Sequence, residues 1–276
     1  MKSPAYPVTD DHIHFNPKNG RGLGAATDFL RAGGTHLFLV SLPSWTLGVS
    51  VARGPDYRQV FDETLRVAGM VRGIGLTVFP VLGVHPAEIT RLAERMPLPD
   101  AAELMKAGLD AAVTYIRKGE AVALKSGRPH YEVTPEILAA SNDVLSHALH
   151  LAAECGCALQ IHAENGPCTD VIAMAAAAHM PVERVVKHYA SPDTPLHPSF
   201  IARHESLPQL IRQRRRFTME SDYMDENSRP GAVTGPKSVP RYTNQLIASG
   251  SMTIDDCFFI HQETVEKVYG VTVELK

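Results

Sequence analysis

No run of eighteen apolar residues occurs in the sequence, and the N-terminal stretch lacks the basic, apolar and small-residue blocks of a secretory leader. A membrane-spanning or exported protein is therefore not expected, and the chain reads as soluble and cytoplasmic. Cysteine is scarce: Cys155, Cys157, Cys168 and Cys257 are all of it in 276 residues, and no Cys-x-x-Cys spacing occurs. That argues against a disulfide scaffold or a thiolate zinc cluster and leaves small buried thiols. A strong charge of one sign is also missing, since the net charge is −3. Neither a broad polyanion-binding surface nor an acidic tail follows from it. The one tryptophan, Trp45, sits in a loop, where it can shape a pocket or fill the loop.

What the chain does have is length for one α/β barrel of about 250 residues or for two ordinary domains. Apolar runs of strand length alternate with helical stretches about eight times. Strands are expected at 6–15, 35–41, 76–82, 120–125, 158–162, 182–189, 198–203 and 217–222. Helices are expected near 25–32, 56–71, 87–95, 100–117, 135–155, 170–179, 206–214, 242–248 and 264–269. The alternation predicts a single α/β domain over 1–276, a (β/α)8 TIM barrel whose chemistry collects at the C-terminal ends of the strands.

The polar residues follow that rule. His12 and His14 end the first strand and share a face, because side chains alternate along a strand. His85 follows the third strand, Lys125 ends the fourth, His162 the fifth, His188 the sixth and Asp222 the eighth. Any one of these histidines could be an ordinary surface residue, and Lys125 could be a lysine reaching solvent at a barrel rim. Five of the thirteen histidines gathered there with one Asp point instead to a divalent metal site.

The motifs His12-Ile13-His14, Gly83-Val84-His85-Pro86, Gly127-Arg128-Pro129-His130-Tyr131, Gln160-Ile161-His162, Lys187-His188, Glu220-Ser221-Asp222 and Val268-Tyr269-Gly270 span nearly the whole chain. With them the chain resembles the TatD-related metal-dependent hydrolases of the amidohydrolase superfamily. The loop Arg229-Pro230-Gly231-Ala232-Val233-Thr234-Gly235-Pro236-Lys237 is similar to the archaeal-type branch. Its Pro and Gly content permits an ordered wall or a moving lid. One position departs from the family: where TatD-type proteins have a Glu bridging two metals, this chain has Lys125. Other amidohydrolases, such as the phosphotriesterases, carry a lysine there that carbon dioxide converts to a bridging carbamate. Lys125 is then such a carbamate, or a lost bridge that leaves one metal or none.

The resemblance implies two divalent ions, zinc first, with manganese or magnesium as alternatives. His12, His14 and Asp222 would hold one, His162 and His188 the other, and carboxylated Lys125 would bridge them. Asp222 is also the expected catalytic proton acceptor, and Glu220 and Lys187 the groups that orient ligands. His85, Arg128, His130, Arg229 and Lys237 are expected to face substrate, because Arg offers a planar fork to phosphate or carboxylate. A phosphoester or phosphodiester, DNA included, follows the family; a small lactone, amide or ester follows the phosphotriesterase-like lysine. A non-catalytic metal-binding barrel is the third reading.

Overall fold

A computed structural model describes residues 5–229 and 233–275. Eight strands alternate with helices: β1 (Thr9–Ile13), β2 (His36–Val40), β3 (Thr77–Gly83), β4 (Ala123–Gly127), β5 (Ala158–His162), β6 (Val185–Lys187), β7 (His197–Ile201) and β8 (Thr218–Glu220). The helices are α1 (Leu23–Arg31), α2 (Arg58–Gly73), α3 (Glu88–Ala93), α4 (Leu98–Arg117), α5 (Pro135–Cys155), α6 (Val171–Ala177), α7 (Leu207–Arg212), α8 (Ser238–Ala248), α9 (Ile254–Phe258) and α10 (Thr264–Tyr269). The strands follow one another in chain order in one eight-stranded sheet. A parallel bridge between Ile13 and Tyr223 joins the last strand's exit to the first. This is the (β/α)8 barrel expected from the alternation.

The chain divides into two compact units built from interleaved stretches. The first comprises Met1–Leu39, Arg66–Phe79 and Pro198–Lys276. Its apolar core gathers Ile13, Phe15, Phe29, Leu37, Leu39, Val71, Leu76 and Tyr223, and the glycine turn after α1 packs directly on the Phe29 ring. The second comprises Val40–Leu65 and Pro80–His197. Here β3, β4, β5 and β6 pair in parallel, and the long helices α4 and α5 pack on one another. Thr134 caps α5 by accepting from the Ile137 amide, Pro135 occupies the first turn, and Gly156 in the left-handed conformation ends the helix. All four cysteines are free thiols; Cys155 is half-buried and the others buried.

Three expectations need adjusting. The strand predicted over 182–189 begins as a 3-10 turn, Val182–Arg184, and only Val185–Lys187 is extended. Pro181 at the turn's entry restricts the chain there. The fourth strand runs past Lys125 to Gly127, so that lysine is buried inside the strand. Helix α9 and a π-turn at Phe259–Glu263 lie between the last two predicted helices, although the Thr253–Asp256 capping box that starts α9 is visible in the sequence. No described helix is long and apolar enough to cross a membrane.

Candidate metal centre

In the first unit, β1 and β8 deliver three donors. His12 is fully buried, His14 lies just beyond the strand and is also buried, and their rings meet edge to face at 5.0 Å. His12 Nε2 lies 3.9 Å from Asp222 Oδ1. The two strand exits are stitched alternately: the Asp222 amide donates to the His12 carbonyl (2.9 Å), and the His14 amide to the Tyr223 carbonyl (3.0 Å). Asp222 has φ +43°, a left-handed backbone uncommon outside Gly, which turns the chain out of the strand at the carboxylate.

A second carboxylate continues the stitching. Asp225, 1% exposed, accepts the Asn16 amide (2.8 Å) and Gly22 amide (2.7 Å) at Oδ2, and the Arg21 amide (2.7 Å) and Tyr223 hydroxyl (2.8 Å) at Oδ1. One side chain thus ties the loop after His14 to the loop after Asp222. Gly20 has to be glycine here, because a Cβ would run into the Asp225 carboxylate. Below the ligands, burial raises the Asp10 carboxyl to about 7 and the Asp11 carboxyl to about 6, against hydrogen bonds from Ser221 and from Tyr269 and Thr218 that lower them.

The second unit gathers imidazoles. His162 ends β5 and His188 follows β6; His162 Nδ1 and His188 Nε2 are 2.7 Å apart. On its other side, His162 Nε2 is 2.7 Å from Nδ1 of the exposed His130. The His85 ring lies 4.9 Å from that of His162, and Trp45 stands edge-on to His85 at 6.0 Å. Burial first, then the charges and rings of His85, Lys125, His130 and Lys187, push His162 well below its ordinary value. That shift favours the neutral imidazole, the form that ligates metal. Lys125 is 2% exposed, and Lys187, 1% exposed, donates to the His188 carbonyl at 2.9 Å.

Each arginine and lysine expected to face substrate has a carboxylate neighbour. Arg128, expected to face substrate, is 4% exposed. Its Nε and Nη2 reach Glu164, Nη1 and Nη2 reach Asp170, and Nη1 also donates to Asn142 (3.1 Å). All five N–H groups of the guanidinium thus have side-chain partners. Arg229 is exposed and pairs with Glu226 at 2.9 Å. Lys237 lies 3.6 Å from Asp28, which Arg21 also holds at 2.7 Å. Residues 230–232 of that loop lie outside the described residues. Sequence reasoning passed over Asp225, Glu164 and Asp170 as partners. The only signal was position, and only for two of them: Glu164 lies two residues past His162 and Asp225 three past Asp222.

The profile of the family described as TatD related DNase matches residues 9–270. An uncharacterized protein of Methanocaldococcus jannaschii, MJ1127, is 32% identical over 281 residues, covering 98% of both chains. Among solved structures, YJJV, a TatD homologue from Escherichia coli, aligns with a TM-score of 0.64 at 16% identity, covering 96% of this chain and 98% of its own. A mutant phosphotriesterase-like lactonase of Deinococcus radiodurans aligns with a TM-score of 0.61 at 13% identity, covering 96% and 95%.

Proposed function

This chain belongs to the TatD-related DNase family and is a metal-dependent hydrolase, and from that premise we propose that it cleaves a phosphoester or phosphodiester at a binuclear centre. His12, His14 and Asp222 would hold one ion, and His162 and His188 the second. The carrying observation is the half-buried His162 with its Nδ1 turned to Nε2 of the buried His188 at 2.7 Å, two imidazoles from neighbouring strands offering nitrogen donors side by side. Imidazole and carboxylate together suit zinc, with manganese or magnesium as the harder alternatives. A divalent ion held there supplies Lewis-acid polarisation and lowers the pKa of water toward neutrality.

Lys125 completes the set as a carbamate. A buried ammonium beside His162 would repel a cation, whereas the neutral amine adding to carbon dioxide, with loss of a proton, would leave an anionic group able to hold one. Asp222 takes the proton of the attacking water and passes it to the leaving group. His85 and the exposed His130 would line the approach to His162.

A second reading replaces the phosphoester with a small neutral lactone, amide or ester. The pairing of Arg128, Arg229 and Lys237 with carboxylates supports it, because none of these cations is held ready for an anion. Assays of a generic phosphodiester beside a panel of lactones and esters, with zinc or manganese added, separate the two. Turnover that disappears in folded Asp222→Asn supports the mechanism; activity unchanged by that substitution rejects it.

A further inference from the structure

The loop Gly127-Arg128-Pro129-His130-Tyr131 is held with more care than a substrate wall needs. The β4–β5 ladder runs to its end, pairing Gly127 with His162, and the Arg128 amide donates to the His162 carbonyl at 2.7 Å. Gly127 has φ +142°, and a Cβ on it would strike that carbonyl. The Arg128 clamp on Glu164 and Asp170 fixes the next residue, and Pro129 restricts the one after. Tyr131 anchors the far side, its hydroxyl 2.8 Å from Thr90 Oγ1. Each restraint fixes where the intervening His130 ring stands.

That ring ends a line of three imidazoles, His130–His162–His188, with a 2.7 Å nitrogen–nitrogen gap at each junction. An imidazole that ligates a metal is neutral and carries one proton for its two nitrogens. If Nδ1 and the facing His188 Nε2 are to offer lone pairs to an ion, the His162 proton has to sit on Nε2. We propose that His130 is a positioning residue: its bare Nδ1 accepts the His162 Nε2–H, holding His162 in the tautomer whose Nδ1 is open to metal. The proton of His130 then lies on Nε2, on the solvent side of an exposed ring. Ligating histidines elsewhere use a carboxylate or carbonyl as this acceptor; here a second imidazole fills the place. The inference rests on the metal reading of His162 and His188.

The test uses the full chain with His130→Ala and His130→Gln, the amide oxygen of Gln being able to accept the same hydrogen bond. Zinc content by elemental analysis and zinc affinity by chelator competition are read beside the tautomer of His162 in the metal-free protein, by nitrogen-15 NMR. Expected are unchanged zinc stoichiometry, affinity weakened about 10- to 100-fold in the Ala variant and largely restored by Gln, and a wild-type His162 that is Nε2-protonated but mixed in the Ala variant. Wild-type affinity with an unmixed tautomer in His130→Ala overturns the proposal. So does loss of a whole zinc equivalent that Gln does not restore, which would make His130 a ligand. If wild type binds no zinc, the metal reading itself fails, and an Nδ1-protonated His162 would overturn the tautomer assignment separately.

Discussion

Asp225 makes no claim to chemistry, yet its carboxylate receives three backbone amides and one hydroxyl from the loops that follow His14 and Asp222. Removing it strands those donors in a buried site. Asp225→Ala is expected to lower stability by about 2–4 kcal/mol in urea unfolding and to weaken zinc binding, since both loops carry ligands at their roots. Arg128 is the counterpart in the second unit. Arg128→Lys keeps the charge but loses the planar fork, and the partly exposed Glu164 and Asp170 limit the cost to about 1–2 kcal/mol. A thermal midpoint equal to wild type would show that the guanidinium is not the clamp described. Neither role could be read in sequence: Arg128 meets its carboxylates 36 and 42 positions away, and Asp225 its loop amides more than 200. The proposed ligands are read in sequence by recurrence instead, as histidines and one aspartate placed at successive strand ends.

At the scale of elements, the strand pattern was legible because β2 to β6 lie in short, mainly apolar runs closed by a turn, a histidine or a charge. The π-turn after α9 was not, for it depends on a tertiary partner. Its His261 is buried, accepts the Thr9 amide at Nδ1 (3.1 Å), faces Thr243 across 3.1 Å, and so pins the turn to the start of β1. Burial, aided by the nearby His36, lowers His261 from 6.5 to about 4. The folded protein therefore resists a proton that the unfolded chain accepts. This contribution to stability is fully present above pH 6.5 and is lost as pH falls through 4, amounting to about 3 kcal/mol in all. Unfolding free energies of wild type and His261→Gln, taken from pH 7 to pH 4, are expected to converge toward the acid end. Parallel curves would mean that His261 is not the group responsible.

For the molecule as a whole, the proposed ligands run from residue 12 to residue 222, so binding an ion and folding the chain are linked events. Zinc at a hundredfold excess over its dissociation constant should stabilise the fold by about 2.7 kcal/mol, and a chelator should remove that gain reversibly. Lys125→Ala should bind fewer ions than wild type when both are prepared with bicarbonate. Equal stoichiometry in the two would reject the carbamate bridge. The substitution of Lys for the family's Glu was visible at once from the neighbouring Arg128-Pro129-His130-Tyr131 motif, but its chemical state depends on a reaction with carbon dioxide that no residue pattern encodes.

The cysteines provide a practical handle. Burial raises the thiols of Cys157 and Cys257 to about 12 and that of Cys168 to about 11, leaving almost no thiolate at neutral pH. Cys155, half-buried at the end of α5, is the accessible thiol. A maleimide dye at pH 7 should accordingly label the native protein once, on Cys155, and the denatured chain four times, so the α5 terminus can carry a fluorophore or spin probe without any engineered cysteine.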